Sequence, residues 1–271
     1  MTAKTELLYL IRTLLQQEPA YQGILIPGDD DRQRRLFRDL MNLWQPGPLP
    51  EEFWRLQDRL LQEELAQRGI VEAAALPVVP GRPRLALWQG DITRLAADAV
   101  VNAANSRLLG CFVPGHLCID NVIHSAAGLQ LRRECAELMA AQGFPEPTGG
   151  AKITKGYNLP AKYVLHTVGP VVENLPPGGK PSAGDCASLA SCYRSCLGLA
   201  AERELETVAF CCISTGVFHF PRETAGAIAL ETVEDFLAGN SRIKKVIFNV
   251  FLDEDKRVYQ KLLGLAQADP S

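Results

Sequence analysis

Residues 99–120 read AVVNAANSRLLGCFVPGHLCID. An apolar strand pattern at Val100-Val101 leads into two amides, Asn102 and Asn105. A Pro114-Gly115 turn then lies between Cys111 and Cys118, and Asp120 begins a helical pattern. The same passage from strand to loop to helix recurs down the chain. Short apolar runs at 84–88, 98–103, 162–168, 207–213 and 243–250 alternate with helical spacing at about 120–141, 185–204, 222–238 and 254–265. That alternation predicts an α/β fold with a mostly parallel sheet and helices on both faces. Lys152 to Gly156 reads as one further strand. Pro170 to Gly184, with Pro176-Pro177-Gly178-Gly179 inside it, reads as a long loop of the kind often used as a functional flap.

Upstream the period changes. Leu7, Leu8, Ile11, Leu14 and Leu15 recur at helical spacing, as do Leu36, Phe37, Leu40, Met41 and Trp44, and then Phe53, Leu56, Leu60 and Leu61. Three helices follow, separated by Pro27-Gly-Asp-Asp-Asp31, which supplies N-cap candidates, and by Pro46-Gly-Pro48, and closed by Gly69. The expected organisation is a helical extension over 1–70, a linker over 71–83 containing Pro77, Pro80 and Pro83, and an α/β domain over 84–271.

The 271 residues are 47% hydrophobic and 22% charged, with a formal charge of −3. With a mean hydropathy of −0.01 this excludes a disordered or collagen-like chain. The acidic balance leaves no electrostatic footprint for duplex nucleic acid but permits a nucleotide-sized anion. Lys4, Glu6 and Arg12 interrupt the first apolar run, so it does not read as a signal peptide, and no run suits a membrane span. The expectation is a cytoplasmic protein with no membrane or nucleic-acid partner. Its eight cysteines then suit buried thiols or a metal site better than disulfides.

Cys111, His116 and Cys118 bring three ligands of borderline softness within eight residues, spacing that lets one loop wrap a metal ion. Taken alone, the same loop reads equally as two ordinary thiols and a surface histidine. Asp120 suits an N-cap, or a carboxylate beside a metal. His124, one turn on, suits a core or helix-face position. Asn102 and Asn105 stand at the carboxyl end of a strand, where open α/β sheets bind ligands, although asparagine is also a common turn residue. Gly90-Asp91-Ile92-Thr93 similarly ends the Leu85–Trp88 strand. Ile213-Ser-Thr-Gly-Val-Phe-His219-Phe-Pro221 joins an apolar strand to a helix whose first position suits proline, and such a turn offers N–H groups to an anion. Cys135, Cys186, Cys192, Cys196, Cys211 and Cys212 read as packing residues, the last two within a strand.

Four segments together resemble the macrodomains, ADP-ribose-binding modules of three-layer α/β/α architecture. They are Gly90-Asp-Ile-Thr93, Val101-Asn-Ala-Ala-Asn105 followed by Leu108-Leu-Gly110, His166-Thr-Val-Gly-Pro170, and Ile213-Ser-Thr-Gly-Val-Phe218. The resemblance covers roughly residues 84–265. In ordinary hydrolytic macrodomains the Leu-Leu-Gly segment runs into a glycine-rich loop and then Val-Asp-Gly. Cys111 to Asp120 stand there instead, which resembles the zinc-dependent macrodomains of microbial protein-ADP-ribose hydrolases, some of them associated with sirtuin-type ADP-ribosyltransferases. The helical region 1–70 is similar to the extension those proteins have.

The resemblance implies a mixed, mostly parallel sheet and a role for each matching residue. Asp91, with the Ile92 backbone beside it, would hydrogen-bond the adenine amino group, and Asn105 would contact the distal ribose. Ser214, Thr215, Gly216, Val217 and Phe218 would cradle the diphosphate. Cys111, His116 and Cys118 would hold one zinc ion at the distal ribose, to polarise it or to activate water, with Asn105, Asp120 and His116 as the catalytic group. The implied activity is zinc-dependent hydrolysis of mono-ADP-ribose from modified protein side chains, through an ester to a carboxylate. A sirtuin-type ADP-ribosyltransferase would act on the same substrate. The rivals are a non-catalytic ADP-ribose reader, an O-acetyl-ADP-ribose deacetylase, and a purely structural zinc domain.

Overall fold

A computed structural model describes residues 3–21, 23–172 and 179–265. The helical spacing at the start of the chain gives α1 (Ala3–Gln17), α2 (Asp30–Leu43) and α3 (Glu51–Arg68). Asp29 caps α2 by accepting from the Arg32 N–H, as its place after Pro-Gly suggests, and α3 stops where Gly69 turns to φ +77°. The apolar stripes of these helices bury one another: Leu10, Ile11, Phe37, Leu40, Phe53 and Leu56 form a cluster that Leu129 joins from a later helix.

The stretch expected to be a linker is tied down. Val71–Glu72 forms β1, and the turn after it receives Lys245 Nζ at the carbonyls of Ala73, Ala74 and Leu76, 3.2, 2.8 and 2.7 Å away. The remaining strands are β2 (Leu85–Gln89), β3 (Leu95–Ala96), β4 (Ala99–Ala104), β5 (Ala151–Lys155), β6 (Tyr163–Val168), β7 (Thr207–Phe210) and β8 (Lys245–Val250). β1 pairs with β3 in a small parallel ladder. The other six form one sheet in the order β2-β8-β7-β4-β6-β5, parallel throughout except for the antiparallel β5 at one edge. The central strands are apolar on both faces, and Val100, Val101, Val208, Ala209, Val246 and Ile247 are fully buried, as strands between two helical layers must be.

The helices of the three-layer α/β/α body are α4 (Ile119–Ala127), α5 (Leu129–Gln142), α6 (Ala183–Glu202), α7 (Arg222–Gly239) and α8 (Asp253–Leu262). One long helix was expected over 120–141. Gly128, at φ +94°, divides it into α4 and α5 because that backbone conformation cannot continue a helix. α6 begins with a reciprocal capping box between Ser182 and Asp185. Residues 173–178 of the expected long loop lie outside the described residues. No described helix is long and apolar enough to cross a membrane.

Register pairs Asn102 of β4 with His166 of β6, so two polar side chains enter the core side by side. His166 is fully buried, and burial holds its ring down at about 3. His124 is also held well below its usual range, first by burial and then by His166 and Arg132. Both rings are neutral when folded and take up protons only after unfolding. Between about pH 6.5, the free imidazole value, and pH 3 the unfolded chain therefore binds more protons, and stability falls as pH falls. Urea midpoints should be flat above pH 6.5 in this respect and decline below it. His166→Gln should reduce the slope of that decline by up to about 1.4 kcal/mol per pH unit, one proton's share. An unchanged slope would show that His166 contributes nothing to the acid sensitivity.

Candidate functional site

The sheet order brings the expected residues to one edge. β4 sends its connection towards β6 and β5, β7 sends its connection towards β8, and between these two strands the loops separate into a crevice. Asp91 follows β2, Ser214 to Phe218 follow β7, and Asn105 follows β4. From β2 to β4 there are three strand steps in the order β2-β8-β7-β4, about 14 Å at roughly 4.8 Å each.

Asp91 closes the turn after β2, its Oδ1 accepting from the Thr93 N–H at 3.0 Å and from Thr93 Oγ1 at 2.6 Å. Its Oδ2 receives Arg68 Nη1 of α3 at 2.9 Å. Both readings of Asp91 thus have a structural basis: it is a turn residue, and it presents a partly exposed carboxylate. The helical extension reaches the site here, a contact that local sequence patterns did not disclose. At the end of β8 Phe251 is 71% exposed, and the Gln89 Nε2 donates to the Phe251 carbonyl at 3.3 Å. Phe251 was also missed, because an aromatic after an apolar run reads as more core.

β7 ends at Phe210, so Cys211 and Cys212 lie just beyond the strand in which they were expected. Pro221 occupies the cap of α7 rather than its first helical position. The turn between is held by Phe220 N–H to the Ser214 carbonyl at 3.0 Å and by Val172 N–H to the Phe218 carbonyl at 2.9 Å. Ser214 sits at φ +65°, and its buried hydroxyl has no partner among the described residues. The N–H groups of Thr215, Gly216, Val217 and Phe218 likewise donate to no described acceptor. Adjacent backbone donors just ahead of a helix N-terminus make a concavity suited to an anion.

Asp120 is not the N-cap. Cys118 takes that position, without a side-chain cap bond, and Asp120 points inward, 5% exposed. Its Oδ1 accepts from Asn102 Nδ2 at 2.8 Å and its Oδ2 from Asn105 Nδ2 at 3.2 Å. Burial pushes the carboxyl up to about 6 against the opposing pull of Asn102, Arg132 and Asn105. Asn102 Nδ2 also lies 3.1 Å from His166 Nδ1, and Thr154 Oγ1 lies 2.9 Å from the other His166 nitrogen. His124 is a buried core histidine, 3.5 Å from Asp120 Oδ1.

Asn105 Nδ2 also donates to the Gly110 carbonyl at 3.1 Å, which ties the amide to the start of the cysteine loop. In that loop the donor atoms of Cys111, His116 and Cys118 all lie within 4.8 Å of one another, with Cys111 Sγ 3.6 Å from His116 Nδ1. Sulfur and nitrogen donors at ~2.3 and ~2.0 Å from a shared tetrahedral centre stand about 3.5 Å apart, so the donor set fits zinc in chemistry and spacing. Burial pushes the Cys118 thiol up to about 12, opposed by the Asn121 N–H and reinforced by Cys111 and Asp120. His124, Cys135 and His166 also cluster, but both His166 nitrogens already face Asn102 and Thr154, and the group is wholly buried.

A family model described as Macro domain matches residues 101–229. A Treponema medium protein named protein-ADP-ribose hydrolase is 51% identical over 266 residues, 97% of this chain and 100% of that protein. A Staphylococcus aureus (strain MSSA476) protein of the same name is 44% identical over 258 residues, 95% of each. The solved Trypanosoma brucei macrodomain in complex with ADP-ribose superposes with a TM-score of 0.63 at 34% identity, covering 83% of this chain and 95% of that one.

The buried Asn102 amide generates a test independent of any ligand. Asn102→Ala leaves a buried carboxylate and a buried imidazole without their shared donor, and should lower unfolding free energy by about 1–3 kcal/mol. Chemical denaturation measures it. A loss within error of zero would mean that Asp120 is held adequately without Asn102.

Proposed function

Because this chain belongs to the Macro domain family, we propose that it is a protein-ADP-ribose hydrolase that removes mono-ADP-ribose ester-linked to protein carboxylates. The observation that carries this reading is that, at the carboxyl end of β4, the Asn105 amide is held both by Asp120 and by the carbonyl of Gly110, which opens the loop where the Cys111, His116 and Cys118 donors converge. The alignment with the Treponema medium hydrolase over that protein's whole length supports it. We assign residues 1–70 to a helical extension, 71–83 to a linker and 84–271 to the macrodomain. A cytoplasmic setting suits the eight free thiols. A sirtuin-type ADP-ribosyltransferase would be the enzyme that installs the modification.

ADP-ribose lies along the crevice in this reading. Asp91 accepts from the adenine amino group beside the Ile92 backbone, and Phe251 covers the base. The Thr215, Gly216, Val217 and Phe218 N–H groups, with the Ser214 hydroxyl, hold the diphosphate. The distal ribose then reaches Asn105. Fixing the diphosphate on rigid backbone donors orients the scissile bond before reaction, which accounts for much of what positioning contributes to catalysis. Asp120, gripped by two amides, keeps the Asn105 side chain aimed at the ribose. A carboxylate leaves as an anion without a proton donor, which suits a site whose acidic group is so restrained.

Cys111, His116 and Cys118 would hold about one zinc ion per chain, three protein ligands being the pattern of catalytic rather than structural zinc. Bound there, zinc would supply Lewis acidity at the distal ribose. His116 therefore joins Asn105 and Asp120 at the reacting end.

Incubation with proteins mono-ADP-ribosylated through carboxylate, serine or arginine linkages should release free ADP-ribose from the carboxylate-linked protein. Binding without release from any of them would favour the reader, and acetate release from O-acetyl-ADP-ribose alone would favour the deacetylase. Elemental analysis should find zinc in the wild type and its loss in Cys118→Ser; full retention in both Cys111→Ser and Cys118→Ser would overturn the ligand set. Asp91→Ala should weaken ADP-ribose binding by roughly 1.5–3 kcal/mol in calorimetry, with zinc content unchanged. Unaltered affinity would leave Asp91 as a turn residue only.

A further inference from the structure

The cysteine loop has little regular structure of its own, yet its backbone is gripped from outside. Arg38 Nη2 of α2 donates to the His116 carbonyl at 3.1 Å and to Asn121 Oδ1 at 3.0 Å. Asn121 Nδ2 in turn donates to the Val113 carbonyl at 3.0 Å. Asn42, near the end of α2, accepts from the Gly115 N–H at 3.1 Å, while its own Nδ2 donates to Ser125 Oγ of α4 at 3.0 Å. Gly115 sits at φ +63° against this helix, where a Cβ would come within 3.2 Å of Asp39 Oδ1. Arg132 of α5 reaches the Met41, Asn42 and Trp44 carbonyls at 3.1, 2.7 and 2.8 Å, and its other terminal nitrogen reaches the Cys111 carbonyl at 3.4 Å. Its guanidinium stacks over the Phe112 ring, 4.3 Å from the centroid.

We propose that the helical extension is a positioning element for the metal loop, and that Arg38 and Asn42 hold the loop backbone so that Cys111, His116 and Cys118 converge before any cation arrives. This rests on the metal reading above and adds to it. Arg38 touches the carbonyl of one donor residue, and Asn42 fixes the N–H immediately before it. Between them they set where the His116 ring begins. Neither side chain is a ligand, and neither lies at the Asp91 end of the crevice. The extension thus acts through the loop, in the way that outer residues orient metal ligands elsewhere.

The test compares wild type, Arg38→Met, Arg38→Lys and Asn42→Ala, with Arg35→Ala on an exposed face of α2 as control. Two quantities are read: zinc affinity by competition with a chelator, and hydrogen exchange of the 111–118 amides in zinc-stripped protein. Arg38→Met and Asn42→Ala should weaken zinc binding by about 10-fold or more, the usual effect of removing such a support. They should also speed loop exchange, with ADP-ribose affinity within a few-fold of wild type. Arg38→Lys should be intermediate, since both bonds come from one terminal nitrogen, which an ammonium supplies on a shorter, differently directed stem, and Arg35→Ala should match wild type. Wild-type zinc affinity and wild-type loop exchange in both Arg38→Met and Asn42→Ala would overturn the proposal. If wild type itself takes up no zinc, the metal reading fails separately and the exchange measurement still decides. Faster loop exchange in Arg38→Met then supports the extension as the loop's brace, and equal exchange overturns it.

Discussion

Arg132 is 2% exposed, and a guanidinium that deep must find acceptors or destabilise the fold. Burial lowers its pKa to about 10, with Asp120 and the Cys111 and Cys135 sulfurs pulling it back up. Its acceptors are the carbonyls at the carboxyl end of α2, where the helix dipole is negative, and the Cys111 carbonyl. One side chain thereby ties the helical extension, the α/β body and the cysteine loop together. Leu129, three residues before it on α5, packs into the cluster of the extension, and Gln57 of α3 accepts from the Leu129 N–H at 3.0 Å. The positions of Arg38 and Asn42 follow from that docking.

From this constraint the crevice acquires two ends of different character. At the β2 end stands an ion pair, Arg68 with Asp91, partly open to solvent. At the β4 end stands a buried carboxylate whose two oxygens both accept from amides, and the Asn105 amide also reaches the start of the loop that holds Cys111, His116 and Cys118. Between them the turn after β7 contributes backbone donors. Recognition groups that act equally in ground and transition state change affinity, whereas groups at the reacting atoms change rate, so the two ends should separate in measurement.

The period of the sequence carried the main strands and most of the helices, because β4, β6, β7 and β8 are buried on both faces and are therefore mostly apolar. It missed the break at Gly128, since both halves keep helical spacing, and it missed β1, whose two residues pair with a strand 24 positions on. The donor set was legible because all three residues lie in one loop. Local pattern left Asp120 open between a cap and a carboxylate beside a metal, because its partners, Asn102 and Asn105, lie 18 and 15 residues away. Arg38 and Arg132 were invisible for the same reason, meeting their carbonyl partners across 78 and up to 91 residues. Nothing local marks a residue as the support of a loop so far along the chain.

The central claim is that the cysteine loop serves the reaction and the rest of the crevice serves binding. The most direct measurement takes wild-type protein before zinc removal, after chelation and after zinc is restored, and records ADP-ribose affinity and release from a carboxylate-modified protein in each state. The account predicts that the stripped protein, folded by circular dichroism, keeps its affinity within a few-fold, loses release, and regains it with zinc. Undiminished release from the stripped protein would contradict the account and leave Asn105 and Asp120 to carry the reaction alone.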